Sequence, residues 1–216
     1  MRFGLIGDVH AEDERLRVAI DAITAARVDH ILCTGDLVDG HGDADKAIAQ
    51  LASRGVLTIR GNHDRWIKND EMRTLPNAHR MTSLAPFSIE FLKTLEPTRS
   101  FEVPGGKLLL CHGVGRSDMR KLNADDSGYA ISSNDELLEV LFDPKIVIMA
   151  CGHTHKPMVR RFERGAQKPA LVVVNAGTLA REDGAGFVIL DLAAKRADFF
   201  HIHDDLSVKA SSRAVL

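Results

Sequence analysis

Seven short apolar runs, rich in Val, Ile and Leu, recur along the chain and constrain its fold more than any other feature. They read FGLIGD, HILCTGD, GVLTIRGN, KLLLCHG, IVIMACGH, LVVVNAG and GFVILDL. Because their apolar character is nearly continuous, we expect strands that are covered on both faces. The pattern predicts an α/β protein in which amphipathic helices cover the strands.

Four helices are predicted between these runs. The first two carry apolar residues at helical spacing, namely Leu16, Ile20, Ile23 and Ala26, and then Ile48 and Leu51. A third covers about 133–142 and opens with Ser133 and Glu136 at the spacing of a capping box. The fourth covers about 88–95.

No low-complexity linker, charge block or internal repeat interrupts the chain. We therefore predict one domain over residues 1–204, and the polar residues 205–216 are predicted to form a flexible C-terminal tail. The stretches 65–87 and 113–132 lack a regular pattern and are predicted as loops.

Composition narrows the possible partners and setting. The net charge of −2 gives no basic surplus for nucleic acid, and no run reaches the roughly 18 apolar residues of a membrane span. The first apolar stretch is too short for a signal peptide. Cys33, Cys111 and Cys151 each lie inside an apolar run, as free thiols do in a reducing compartment. We expect a cytoplasmic protein without disulfides.

Polar residues flanked by glycine follow almost every predicted strand. They are Asp8, His10, Asp36, Asp39, Asn62, His63, Asp64, His112, His153, His155 and Asn175. Ligands collect beyond the carboxyl ends of strands in sheets of this kind. Carboxylate, imidazole and carboxamide groups suit borderline divalent metals such as Mn²⁺, Fe²⁺, Co²⁺ or Zn²⁺. The set is too large for one catalytic ion, but it fits two ions that share a bridging ligand.

Each of these residues alone has a plainer interpretation, because Asp or His after a strand commonly forms a turn or caps a helix. His201 and His203 lie on one face of a terminal strand, and we assign them to solvent or core packing because no carboxylate motif accompanies them. His41 lies in a loop that can reach the substrate. Trp66 either lines the cleft or anchors its loop. Alternation predicts that Cys111 and Cys151, beside two of the histidines, turn into the core.

The blocks GDVH, GDLVDG, GNHD, HG and GHTH, in this order, resemble the calcineurin-like metallophosphoesterase family. They span residues 7–155, and NAG at 175–177 is a further match. The resemblance implies a four-layer α/β/β/α sandwich, in which two facing mixed β-sheets are flanked by helices. It also implies hydrolysis of a phosphoester by a metal-bridging hydroxide at a dinuclear centre.

The same resemblance implies a role for each matching position. Asp8, His10 and His155 would hold the first metal, Asp36 would bridge, and Asn62, His112 and His153 would hold the second. His63 matches a histidine that is not a ligand and donates to the phosphoryl or leaving oxygen, and Asp64 would orient its ring. Asp39 is expected to order its loop. We expect Mn²⁺ first, with Fe, Zn, Co or Ni as alternatives.

Several functions share this ligand set. The leading prediction is a phosphodiesterase for a small molecule, and the first alternative is a phosphomonoester or protein phosphatase. Against that alternative, Gly40 and His41 stand where the Ser/Thr phosphatases usually carry an arginine. A repair-type nuclease would need a cationic surface. A non-catalytic scaffold that binds little metal would lack ligands, and here none is missing. The sequence leaves the substrate, the oligomeric state and the role of loop 113–132 open.

Overall fold

The computed structural model describes all 216 residues and contains eleven strands and six α-helices. In chain order these elements are β1 Arg2–Ile6, α1 Asp13–Ala25, β2 His30–Cys33, α2 Ala44–Ser53, β3 Leu57–Thr58, α3 Asn62–Asn69, α4 Pro86–Thr94, β4 Thr98–Val103, β5 Gly106–Cys111, α5 Tyr129–Ser132, α6 Asp135–Phe142, β6 Ile146–Cys151, β7 Met158–Phe162, β8 Leu171–Asn175, β9 Gly186–Asp191, β10 Arg196–Ile202 and β11 Val208–Val215. Short 3₁₀ turns lie at Met81–Ser83 and Arg181–Asp183. None of the helices combines the length and apolar character needed to cross a membrane.

Two mixed sheets form the centre of the molecule. The first has the strand order β11-β10-β9-β1-β2-β3 and the second has the order β4-β5-β6-β8-β7. Within the first, β1, β2 and β3 are parallel, and within the second, β5, β6 and β8 are parallel. The carboxyl ends of each parallel set therefore lie at one edge of its sheet.

Three apolar clusters show how the layers stack. Phe3 and Leu5 of β1 pack in a cluster with Leu108 and Leu110 of β5, and this cluster lies between the two sheets. Ile6 instead joins the cluster that contains α1 and α2. On the far side of the second sheet, the other residues of β5 and β8 pack against α6. This arrangement confirms the predicted α/β/β/α sandwich, and it explains why the strands are apolar on both faces.

The predicted flexible tail is wrong for most of its length. Residues 208–215 form β11, which pairs antiparallel with β10 at the edge of the first sheet. Most of its side chains are exposed, so its sequence lacks the apolar signal of a buried strand, and backbone hydrogen bonds hold it in place. The strands β4 and β7 were not predicted for the same reason, because charged residues interrupt their apolar sequence.

The helix predictions hold for α1, α2, α4 and α6, but two details differ. The first turn of α6 is capped by Asn134, whose side chain accepts from the amide of Leu137. The Glu136 carboxylate instead accepts from the amide of Arg116, so the predicted capping box of Ser133 and Glu136 is wrong. Residues 65–69, predicted as part of a loop, instead continue the helix α3, which begins at Asn62 of the GNHD block.

Candidate metal centre

The predicted ligands come from the loops that leave the carboxyl ends of five parallel strands. Asp8 and His10 follow β1, Asp36 follows β2, and Asn62 begins α3 just after β3. His112 follows β5 in the second sheet, and His153 and His155 follow β6. Three groups of these side chains place their ligand atoms within 4.8 Å of one another, namely Asp8, His10 and His155; His10, Asp36 and His63; and Asp36, His112 and His153.

The first group contains two imidazoles whose Nε2 atoms face each other. The Nε2 atoms of His10 and His155 are 3.0 Å apart, and His155 Nε2 lies 3.2 Å from Asp8 Oδ2. His10 Nδ1 lies 2.8 Å from the carbonyl oxygen of Asp39, which can only accept, so this nitrogen carries a proton. His155 Nδ1 donates in the same way to the carboxylate of Asp183. In the neutral rings both Nε2 atoms therefore present lone pairs to the same space, which suits a cation.

A further group contains Asp36, His112 and His153. His112 Nδ1 donates to the carbonyl oxygen of Thr34 at 2.8 Å, and its Nε2 lies 2.8 Å from Asn62 Oδ1 and 3.2 Å from Asp36 Oδ2. His153 Nε2 is buried without any hydrogen-bond partner. A buried polar atom left unpaired costs free energy, so this nitrogen is available to a metal ion.

Asp36 lies between His10 of the first group and His112. Its Oδ2 atom is 3.2 Å from His112 Nε2 and 3.9 Å from His10 Nε2, while Oδ1 accepts from the amide of His63 at 2.8 Å. One carboxylate oxygen thus faces imidazoles of both groups, and backbone contact fixes the other. This is the placement that a bridging ligand requires.

The charges of the metal-free protein reflect this crowding. Burial opposes protonation of His112, but Asp36 and Asp8 outweigh it and raise its pKa to about 10. Burial likewise opposes protonation of His155, yet Asp8 and Asp183 raise its pKa to about 9. Burial lowers the pKa of His153, and the neighbouring His112 lowers it further. A metal ion held by His112 and His155 would therefore have to displace protons from both rings.

Glycines beside the ligands permit close packing. A Cβ atom on Gly61 would lie 2.1 Å from Asp36 Oδ1, and one on Gly152 would lie 2.2 Å from Asp8 Oδ1. Real Cβ atoms do not approach carboxylate oxygens so closely. Any side chain at either position would displace a carboxylate of the centre.

Several residues of the centre adopt a left-handed backbone that side chains rarely occupy. The values of φ are 46° for His10, 50° for Asp36, 66° for Asp39, 67° for His153 and 59° for His155. Residues with a Cβ atom pay a steric cost for this conformation, and such strain concentrates at functional sites. The sheets and their cores therefore hold these loops against the local preference of the chain.

His63 has a different carboxylate partner from the one predicted. Its Nδ1 atom lies 2.8 Å from Asp39 Oδ2, whereas Asp64 accepts from the amides of Leu37 at 2.8 Å and Gly61 at 2.9 Å. The family resemblance implied that Asp64 orients this ring, but Asp64 at the start of α3 points back towards backbone donors. Burial raises the pKa of Asp64 to about 6, and Asp36 adds to the effect. Asp64 orders the turn that presents His63.

Asp39 orders its loop as expected, and it does so through residues that the sequence did not identify. Its carboxylate accepts from Arg73 Nη1 at 2.9 Å and Nη2 at 2.8 Å, and from the amide of His79 at 2.8 Å. Arg73 and His79 lie in the irregular stretch 65–87, where no spacing marks them. Asp183, the partner of His155, likewise followed no recognised block.

The remaining candidates lie as follows. His41 lines the cleft beside His10 and His63. The Trp66 ring is centred 4.6 Å from that of His63, so Trp66 packs against His63 and does not itself line the cleft. Cys111 and Cys151 are buried in the cluster behind the second sheet, as alternation predicted. The rings of His201 and His203 contact each other, but no carboxylate joins them in a metal-binding group.

Asn175 is a support and not a ligand. Its Nδ2 atom donates to the carbonyl oxygen of Gly152 at 2.7 Å and to Thr154 Oγ1 at 3.0 Å.

Loop 113–132 is tied to its surroundings by Arg160, which donates to the carbonyl oxygens of Asn123 and Asp126. Asp118 of the same loop pairs with Arg65 at 2.7 Å.

Comparison with known proteins places this centre in a family. Residues 1–195 match the model of the calcineurin-like phosphoesterase superfamily domain. The fold is similar to that of a metallophosphoesterase from Sphaerobacter thermophilus, with a TM-score of 0.70 and 20% identity over 94% of this chain and 89% of that one. It is also similar to a phosphoesterase from E. coli, with a TM-score of 0.57 and 15% identity over 100% and 99% of the two chains. An archaeal phosphodiesterase gives a TM-score of 0.58 and 16% identity over 93% and 99%.

A search of curated proteins gives no significant match. At these sequence identities, the similar structures show only that the fold is shared. The family model, in contrast, covers most of the sequence and all of the proposed ligands. The chain belongs to the calcineurin-like phosphoesterase superfamily.

Proposed function

We propose that this protein hydrolyses a small-molecule phosphodiester with the help of two divalent metal ions, Mn²⁺ being the first choice. Asp8, His10 and His155 would hold one ion, and Asn62, His112 and His153 would hold the other. Asp36 would bridge the two. The observation that carries this proposal is the convergence of these side chains in groups that are linked through His10 and Asp36, together with the buried and unpaired Nε2 atom of His153.

The donor set fits the proposed ions. It combines carboxylate and carboxamide oxygens with imidazole nitrogens, and lacks thiolate, because the cysteines are buried elsewhere. When bound, a pair of such ions polarises phosphoryl oxygens and acidifies water. Thr34, Asp39 and Asp183 fix the rings of His112, His10 and His155 through Nδ1, which would leave Nε2 of each ring to hold an ion.

His63 is the proposed proton donor to the leaving oxygen. Asp39 holds its Nδ1–H, which leaves Nε2 for the substrate, and the ring lines the cleft. Burial opposes protonation of His63, but Asp39 and Asp36 outweigh it and raise its pKa. A histidine whose pKa is raised in this way favours its protonated form and can donate a proton to the leaving oxygen.

The preference for a diester rests on the charges of the cleft. None of the residues that line it is Lys or Arg. Arg65 is occupied by Asp118 and Glu71, and Arg73 is occupied by Asp39. Phosphomonoesters carry about two negative charges and are usually bound with the help of arginine. A diester carries one charge, which the ions and His63 can satisfy.

Steady-state kinetics with matched aryl substrates tests this function. With Mn²⁺ present, kcat/KM for an aryl phosphodiester should exceed that for the matching phosphomonoester by at least about tenfold, a difference of about 1.4 kcal/mol. The phosphatase alternative requires the opposite preference, lost in Arg116→Ala or Arg120→Ala. Absence of hydrolysis together with absence of bound metal would favour the scaffold alternative.

We also propose a cytoplasmic location. All three cysteines are free and buried, which supports a reducing compartment.

A further inference from the structure

A second pocket lies beside the cleft at the metal centre. The cleft has a volume of about 370 Å³, and the adjoining space, here called the outer pocket, has about 520 Å³. Gly40, His41 and Asn77 line both. A molecule bound at the metal centre can therefore extend over these three residues into the outer pocket.

The boundary between the two spaces is formed by side chains from separate loops. His41 Nε2 lies 3.1 Å from Asn77 Nδ2 and 3.1 Å from Glu182 Oε1. The side chains of His41 and Glu182 are 48% and 57% exposed, so little packing holds them in place. These polar contacts can be exchanged for contacts with a ligand at small cost.

The two spaces differ in charge. The cleft is lined by the carboxylates Glu12, Asp39, Glu182 and Asp183, whereas no carboxylate lines the outer pocket. The outer pocket is lined instead by groups that can donate hydrogen bonds, which are His41, Asn77, His79, Arg80, Thr82 and Ser83. The outer pocket therefore has the character of an anion-binding site.

Two of these donors are free for a ligand. The guanidinium of Arg80 has one carboxylate within reach, the exposed Asp70 at 3.6 Å, and is itself 61% exposed. His79 Nδ1 accepts from the amide of Asp39 at 3.0 Å, so the proton of the neutral ring is on Nε2. The backbone of His79 is in turn fixed by Asp39 and Arg73. The wall of the outer pocket is thus attached directly to the loop that orients His63.

We propose that the outer pocket binds one ester arm of the substrate and prefers an arm that bears an anionic group, phosphate or carboxylate. The inference rests on the proposed diesterase function. Because His63 engages the leaving oxygen in that function, the outer pocket is assigned to the arm that stays on phosphorus. Arg80 binds the anionic group as a forked donor, and His79 Nε2–H supports it.

The test uses three 4-nitrophenyl diesters whose retained arms have equal length and end in a hydroxyl, a carboxylate or a phosphate group. With the Mn²⁺-loaded protein, kcat/KM for the better anionic arm should exceed that for the hydroxyl arm by at least about tenfold, mainly through KM. In Arg80→Gln this ratio should fall to within about threefold. The ratio compares substrates on one preparation, so it is independent of folding yield and metal content. The carboxylate and phosphate arms show which anion is the better ligand.

Arg54→Gln provides the matched control, because Arg54 is also an exposed arginine with a carboxylate partner, and it lies next to α2 outside both pockets. Its ratio should equal that of the unchanged protein. Hydrolysis of all three diesters at similar rates would overturn the outer-pocket assignment and leave the diesterase function intact. A preference that persists in Arg80→Gln would also overturn it. Failure to hydrolyse any of the three would refute the diesterase function and, with it, this inference.

Discussion

We predict that Arg73 holds Asp39 in position and does not bind substrate. Its side chain is 4% exposed, and it donates to both oxygens of Asp39, whose side chain is 2% exposed. It also donates to the carbonyl oxygens of Glu71 and His79, both at 2.6 Å. Replacing Arg73 by Met keeps the apolar stem and removes every one of these donors.

The expected loss of stability follows from what the substitution leaves behind. Asp39 keeps His63 and the amide of His79 as donors, but it loses the one permanent cation beside it. Breaking a buried ion pair in this way costs about 3–5 kcal/mol. A total free energy of unfolding of roughly 5–15 kcal/mol makes this a large fraction. At about 2–4 °C per kcal/mol for a chain of this size, Tm should fall by roughly 6–20 °C.

Urea unfolding and thermal melting measure this change, with Arg161→Met as the control. Arg161 pairs with Glu163 on the surface, where the two side chains are 53% and 72% exposed, so its loss should change stability by less than about 0.5 kcal/mol. If Arg73→Met melted like the unchanged protein and raised KM with kcat preserved, Arg73 would be a substrate clamp and the reasoning from burial would be refuted.

Four further outcomes are expected. His63→Asn should retain its metal and lower kcat by about 10²–10⁴-fold, because it removes the proposed proton donor; unchanged kcat at full metal content, measured by elemental analysis, would exclude that role. Asp36→Asn should lose metal first and activity as a consequence, since a shared carboxylate balances two cations; two tightly held ions in this variant would assign the bridge to another residue. Added Mn²⁺ should raise Tm and a chelator should lower it, because ions that bind only the folded chain stabilise it; a melting curve indifferent to both would contradict a metal site. Burial raises the pKa of Glu12, but Arg181 and Arg15 outweigh it and lower the pKa below its ordinary value. The Glu12 carboxylate therefore stabilises the fold above its unfolded pKa of about 4.3. This contribution is lost as the pH falls through that value and below. On acidification, Glu12→Gln should therefore lose less stability than the unchanged protein. Parallel urea titrations at pH 7 and pH 4 would reveal no difference between the two proteins if the ion pairs of Glu12 were inert.

The strands and ligands that lie in apolar, glycine-flanked blocks were predictable because burial and turn geometry leave local marks in a sequence. The runs ending at Asp8, Asp36 and His112 are of this kind, and each becomes a buried strand with a polar residue at its carboxyl end. The edge strand β11 left no such mark, because one backbone edge and few side chains hold it.

Partners that meet only in three dimensions could not be read from the sequence. Asp39 and His63 are 24 positions apart, and Asp39 and Arg73 are 34 apart, so neither spacing is periodic. The family resemblance implied Asp64 as the partner of the His63 ring, and the geometry at the start of α3 excludes it. Sequence blocks identify which groups take part, whereas the folded loops decide which of them pair.

The left-handed backbone of His10, Asp36, Asp39, His153 and His155 sets stability against activity. Each non-glycine residue in this conformation costs on the order of 1 kcal/mol, and glycine would occupy it without strain. At the three histidines, glycine or the more tolerant asparagine would therefore relieve strain while removing a proposed ligand. At Asp39 the same change would break the buried ion pair with Arg73 and cost more than it gains. Selection of this protein for heat resistance without an activity screen should accumulate such replacements at the histidines of the proposed metal centre, and the resulting chains would keep the sandwich and lose the proposed activity.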